Sequence, residues 1–209
     1  SSGNVTGTSN AVTVKLDPIL VAGWDFQTLT SNKSSVPLTT ALMSVRTYNA
    51  NFGNGNGTLL FNSINGSSQW NYSAGEIFAD AGTTVNAAAG FSTTTTNPAA
   101  LLLRAGKNLS ANGKSLIFRC ASTANKTHTI SYAAANNTGG FGTHTWAWSN
   151  NATTWSANTT ITVNSTITTK TFSTSNATTT GTLYLRLTPS GATKAYGANL
   201  IDNVQIQAN

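Results

Sequence analysis

Acidic side chains are nearly missing from this chain. Five of them (Asp17, Asp25, Glu76, Asp80, Asp202) and two histidines (His128, His144) are the whole stock for acid–base or metal chemistry in 209 residues. Charged residues make up 8% of the sequence, against about 25% in an ordinary soluble domain. Most enzyme mechanisms draw on clustered Asp, Glu, His, Lys or Cys. Five scattered acids do not assemble the paired carboxylates of a glycosidase, and no motif sets either histidine beside a nucleophilic serine. The chain reads as a non-enzyme.

Other shortages exclude other classes. The single cysteine, Cys120, rules out an internal disulfide, and its place in the apolar run Ser115-Leu116-Ile117-Phe118-Arg119-Cys120 marks a buried, inert thiol. No apolar run approaches the ~18 residues of a membrane-spanning helix. The net charge of +6 arises from the lack of acids, because the eleven Lys and Arg are scattered rather than striped. Nucleic acid is therefore not an expected partner. Only four prolines occur, so no Pro-rich linker divides the chain.

What fills the sequence is Thr, Ser, Asn, Gly and Ala, with hydrophobic residues at 39% and five tryptophans, enough for a core. The pattern has period two. Thr182-Leu183-Tyr184-Leu185-Arg186-Leu187 puts three leucines on one face, Trp24 and Phe26 share another, and His144, Trp146 and Trp148 a third. Thr160-Ile161-Thr162-Val163 and Thr166 to Phe172 add β-branched strands. Asn54-Gly55, Asn56-Gly57, Asn65-Gly66 and Asn112-Gly113 tolerate the positive φ of tight turns. Many short strands with regular turns predict an all-β fold, an antiparallel β-sandwich of jelly-roll type. Its core is expected to hold Leu183, Leu185, Leu187, Ile117, Val204 and Ile206. A short helix is expected between Ala74 and Ala89.

The first eighteen residues form an arm, and residues 19–209 the sandwich. Within the arm, Ala11-Val12-Thr13-Val14-Lys15-Leu16 alternates like a strand before Asp17-Pro18 breaks it. Such an extension strand, added to a neighbour's open sheet, supplies main-chain hydrogen bonds and buries alternate side chains. The head-to-tail contact does not close and propagates as a filament. Ala11, Val12, Thr13, Val14 and Leu16 are the expected subunit contacts.

Three aromatics in polar surroundings are candidate sugar platforms: Trp70 and Tyr72 in a Gly/Ser-rich segment, and Trp155 just past the turn Ser149-Asn150-Asn151. The parity shared by Trp146 and Trp148 is accounted for by one buried face. Asp202, in Leu200-Ile201-Asp202-Asn203-Val204, either helps backbone carbonyls bind a structural Ca²⁺ or accepts hydrogen bonds from a neighbouring loop. Sequons such as Asn4, Asn32, Asn71, Asn108, Asn151 and Asn176, with the Thr/Asn/Ser-rich composition, point to the cell exterior.

Three stretches carry a family resemblance: Val21-Ala22-Gly23-Trp24-Asp25-Phe26, the middle from Thr129-Ile130-Ser131-Tyr132 through Gly140-Phe141 to Trp146-Ala147-Trp148-Ser149, and Ile201-Asp202-Asn203-Val204-Gln205-Ile206. Together they resemble the carbohydrate-binding-module-like (galactose-binding-like) jelly-roll family of bacterial secreted and surface proteins. The resemblance implies a sandwich of eight or more strands and a structural Ca²⁺, with Asp202 the matching residue. Two functions are expected. The first is a structural subunit of an extracellular fibre or surface layer, a homopolymer built by strand donation. The second is a non-catalytic carbohydrate-binding module or adhesin, with glycans as partners.

Overall fold

The computed structural model describes residues 17–27, 29, 36–37, 47–54, 56–61, 69–71, 74–92, 98–122, 124–174 and 180–209. The β-branched, alternating segments form strands: β1 (Ile19–Trp24), β2 (Val36–Pro37), β3 (Thr47–Asn49), β4 (Thr58–Leu60), β5 (Ile77–Ala81) and β6 (Pro98–Arg104). They continue as β7 (Leu116–Ser122), β8 (His128–Asn136), β9 (Thr143–Ser149), β10 (Thr159–Thr162), β11 (Thr168–Ser173), β12 (Gly181–Ser190) and β13 (Ala198–Ala208). One sheet runs β11-β8-β13-β6-β5-β2, with β1 also on β13, and the other runs β10-β9-β12-β7-β4-β3. All pairings are antiparallel. The fold is an antiparallel β-sandwich of jelly-roll type. Among the described residues no helix is long and apolar enough to cross a membrane.

Period two decides what lies between the sheets. Leu183, Leu185 and Leu187 of β12 are fully buried, and Tyr184 and Arg186 between them point outward. They meet Leu116, Phe118 and Cys120 of β7 and, from the other sheet, Ile130, Ile201, Val204 and Ile206. Ile117 is buried as well, but its parity is that of outward Arg119, and it lies outside this inter-sheet cluster. Trp24 sits edge-on to Phe118 at 5.3 Å and donates its indole N–H to Tyr48 O at 3.2 Å. Burial raises the Cys120 thiol to about 12, so it is protonated and inert.

The expected helix at 74–89 is a strand followed by a loop. Ile77 to Ala81 pair with β6, and Asn86 has a left-handed φ of 61°. Alternation wins here, because Ile77 and Ala79 face the core while Phe78 and Asp80 face outward. β13 is the spine of its sheet. One edge follows β8; the other pairs with β6 through Ile201 and with β1 from Val204. The changeover is a bulge at Asp202–Asn203, where Asn203 has φ 47°.

Candidate functional site

A groove lies on the outer face of the seven-stranded sheet. Alternate residues of neighbouring strands set its floor: Phe78 opposite Leu102, and Leu200 and Ala198 opposite Leu102 and Arg104. Phe78, Leu102, Ala198 and Leu200 pack into a small apolar cluster separate from the main core. Alanines at 135 and 198 keep the floor low, so the longer side chains around them become walls. Two adjoining clefts of about 320 Å³ each result, with Arg104 common to both. The first is lined by Asp80, Asn136 and Asn137, the second by Lys107 and Tyr196.

Tyr196 is the exposed aromatic of the site, with 82% of its surface accessible. It stands near the tip of the β12–β13 hairpin, whose base is clamped to the 137–142 turn. Thr193 N–H donates to Gly139 O at 2.9 Å, and Asn137 Oδ1 accepts Ala198 N–H at 2.7 Å. The clamp needs glycine at 197, since a Cβ there would collide with the Gly139 carbonyl. The ring is thus presented from a fixed loop. Arg104 stacks its guanidinium over Phe78, 4.2 Å from the ring centroid. Its strand end is anchored by Arg104 N–H to Glu76 O at 2.7 Å.

Glu76 anchors the groove from below. It is buried, yet its carboxylate meets Lys114 Nζ at 2.6 Å, Ser110 Oγ at 2.7 Å and Asn71 N–H at 2.7 Å. Neither Glu76 nor Lys114 stands out in the sequence, because the two lie 38 positions apart. Tyr196 and Arg104 were detectable in principle. Tyr196 is a lone aromatic amid Gly191, Ala192, Ala195 and Gly197, between two alternating strands. Arg104 shares parity with Leu102 rather than with the core leucines.

The expected sugar platforms fare unequally. Trp70 is a correction: it is 2% exposed, donates its indole N–H to Ser115 O at 3.1 Å and packs edge-on against Phe141. The Gly/Ser-rich context suggested a surface loop, but the ring fills the core. Tyr72 lies outside the described residues, as do Ala11, Val12, Thr13, Val14 and Leu16. Trp155 is half-buried on the other sheet, with the Arg186 guanidinium 4.2 Å above its ring. Its loop is braced by Asn151 Oδ1, which accepts Thr153 and Thr154 N–H, and it forms a cleft of about 330 Å³ with Trp148. Trp146 is fully buried, and Trp148 packs against the same core.

Asp202 sits in the β13 bulge and is 1% exposed. Oδ2 accepts Thr83 N–H and Oδ1 accepts Asn203 N–H, both at 2.7 Å. Asn203 Nδ2 donates to Thr83 O and Val85 O, so the 83–86 loop is latched across the bulge. Burial nevertheless raises the Asp202 carboxyl to about 7, and the charge of Asp25 pushes the same way. Asp25 is itself buried and accepts Gln27 and Ser92 N–H, each at 3.3 Å. Among the described residues no cation forms an ion pair with either carboxylate. Asp202 thus accepts hydrogen bonds from a neighbouring loop, one of the two readings its sequence position offers. Among the described residues no group of three or more acidic, His or Cys side chains gathers around Asp25 and Asp202.

Fold and groove together define a β-sandwich with a preorganised, aromatic-tipped surface cleft. No family model matches the sequence, and no curated protein matches it. Solved structures similar to it include carbohydrate-binding modules, an α-L-arabinofuranosidase and a cleaved adhesin domain of Lys-gingipain. TmCBM61, solved with β-1,4-galactotriose, is 11% identical over 65% of this chain and 83% of that chain, at a TM-score of 0.42. A CBM4 module is 14% identical over 53% of this chain and 72% of its own, at 0.42. The N-terminal cellulose-binding domain of Cellulomonas fimi β-1,4-glucanase C is 14% identical over 55% and 81%, at 0.40.

Proposed function

We propose that the protein is a non-catalytic, extracellular glycan-binding module that takes its ligand in the Tyr196–Arg104 groove. The observation that carries this reading is Tyr196 itself: a large, rigidly presented aromatic ring left exposed beside a cleft of amides and charged donors. A sugar's C–H face packs on such a ring while its hydroxyls exchange hydrogen bonds with Arg104, Asp80 and Asn137, the mixture of apolar platform and few polar groups usual for small-ligand sites. Asp80 is the one described carboxylate lining the groove, which gives no acid pair for hydrolysis. Affinity electrophoresis through gels containing plant, algal and microbial polysaccharides tests the reading. Retardation by at least one glycan, abolished by Tyr196→Ala, is the expected result. Unchanged mobility in every gel overturns it.

A structural Ca²⁺ held by Asp202 and Asp25 is part of the same proposal. It would neutralise two buried carboxylates and lock the 83–86 loop to β13. The fibre-subunit expectation rests on residues 11–16, which are outside the described ones. Comparing the sedimentation of the full chain with that of a chain starting at Asp17 tests it, since strand donation requires only the longer form to polymerise.

A further inference from the structure

We infer that the groove selects acidic glycans, seating a uronic-acid carboxylate on Arg104 with the sugar ring against Tyr196; the inference rests on the glycan-binding reading above. Two observations carry it. The Arg104 guanidinium carbon sits over the Phe78 ring, 4.2 Å from its centroid, so the ring covers one side of the group. Among the described residues no carboxylate or carbonyl takes those donors; only the Arg104 backbone N–H is engaged, by Glu76 O. A guanidinium packed on an aromatic ring, with side-chain donors that no described acceptor takes, suits a planar, two-oxygen acceptor, which a carboxylate is and a hydroxyl is not.

The charge pattern agrees. Arg104 divides the groove into unequal halves: the Tyr196 half also carries Lys107, while the other half carries Asp80 with Asn136 and Asn137. An acidic sugar therefore fits beside Tyr196, and its neighbour in the polymer presents neutral hydroxyls to the Asp80 half. A net charge of +6 adds a long-range attraction for a polyanionic polysaccharide.

The test is calorimetric titration with oligogalacturonate, its methyl ester, a neutral β-linked galactan oligomer and dextran sulfate. The free acid is expected to bind at least about tenfold more tightly than the ester. Arg104→Gln should remove that preference, and Arg104→Lys, which keeps the charge but not the fork, should retain part of it. Arg119→Gln makes the same change in net charge on the other sheet, where Arg119 is exposed, and should leave binding within about twofold. Thermal melts check that each variant is folded. Equal binding of acid and ester, with both lost in Tyr196→Ala, keeps the glycan site and overturns acid selectivity. Equal weakening by Arg104→Gln and Arg119→Gln, or dextran sulfate binding as tightly as the uronate, reduces the effect to diffuse charge and also overturns it. Binding of none of these or any other glycan fails the underlying reading.

Discussion

Asn199 on β13 holds His144 on β9, and so ties one sheet to the other. Its amide is oriented by Phe141, whose N–H donates to Asn199 Oδ1 at 2.8 Å and whose carbonyl accepts from Nδ2 at 2.9 Å. The same Nδ2 donates to His144 Nε2 at 3.0 Å. A neutral imidazole then carries its proton on Nδ1, which faces Tyr132 Oη at 3.1 Å. Trp146 Nε1 donates to the same hydroxyl at 2.9 Å. Burial keeps His144 neutral, lowering its pKa to about 3, and the charge of Lys170 acts in the same direction.

Replacing Asn199 by Ala strands two buried partners, the Phe141 N–H and His144 Nε2, and leaves the Phe141 carbonyl only the longer bond from Asn136 Nδ2 at 3.4 Å. Each unsatisfied buried group costs about 1–3 kcal/mol. The variant is expected to lose about 3 kcal/mol or more in urea unfolding, whereas Ser131→Ala, at the partly exposed end of a single side-chain hydrogen bond from Asn86, should lose under about 1 kcal/mol.

Asp202 and His144 should pull the pH profile of the metal-free protein in opposite directions. Asp202 has its pKa raised from 3.8 to about 7, so its favourable contribution is complete below pH 3.8 and is lost as pH rises through about 7. His144 is lowered from 6.5 to about 3, so its contribution is present above 6.5 and is lost as pH falls toward 3. Between pH 4 and 6.5 the slopes oppose, each about 1.4 kcal/mol per pH unit. In EDTA, Asp202→Asn should therefore acquire a stability that climbs with pH by about that slope relative to the unmodified chain. His128, also lowered by burial, contributes equally to both and drops out of the difference. Parallel profiles for the two proteins would contradict the assignment.

Alternation made the inter-sheet core readable: the leucines of β12, Trp24 with Phe26, and His144 with Trp146 all lie where parity puts them. Parity alone does not say which outward face is then covered, and this is why Ile117 is buried outside the main cluster. The neighbours of Trp70 do not reveal its burial, because its partners, the Ser115 carbonyl and the Phe141 ring, are distant in the sequence. The groove was unreadable for the same reason. Its walls come from β5, β6, the β8–β9 turn and the β12–β13 hairpin, and only the pairing of β13 with β6 and β8 brings them together. The bulge that isolates Asp202 from water was likewise invisible, although the residue itself was conspicuous.

Calcium should act mainly at neutral and alkaline pH. Above about pH 7 Asp202 is charged in the folded protein, and a bound divalent cation then offsets its repulsion with Asp25. Adding Ca²⁺ at 100 times its dissociation constant stabilises by about 2.7 kcal/mol. Melting temperature is expected to rise on Ca²⁺ addition at pH 8, to rise far less at pH 5, and to be unmoved in Asp202→Asn or Asp25→Asn. A Ca²⁺ response that survives both substitutions places the ion elsewhere.

The Glu76–Lys114 pair should prove strongly coupled rather than strongly stabilising. Glu76 is 1% exposed and Lys114 16%, so the pair is partly desolvated, and Glu76 gains further from Ser110 Oγ and Asn71 N–H. Removing only the cation, in Lys114→Met, leaves a buried carboxylate without its counter-charge, a loss of about 3–5 kcal/mol. Changing both, in the double variant Glu76→Gln/Lys114→Met, removes the stranded charge and should recover much of that loss. Because the Glu76 carbonyl accepts Arg104 N–H and a Cβ at Gly106 would meet the Glu76 side chain, the damage in Lys114→Met should spread to the groove. Glycan retardation in that variant is expected to weaken together with its stability, and to return in the double variant. A double-mutant cycle with no interaction energy would show that Lys114 is only a surface charge beside a carboxylate held by its other partners.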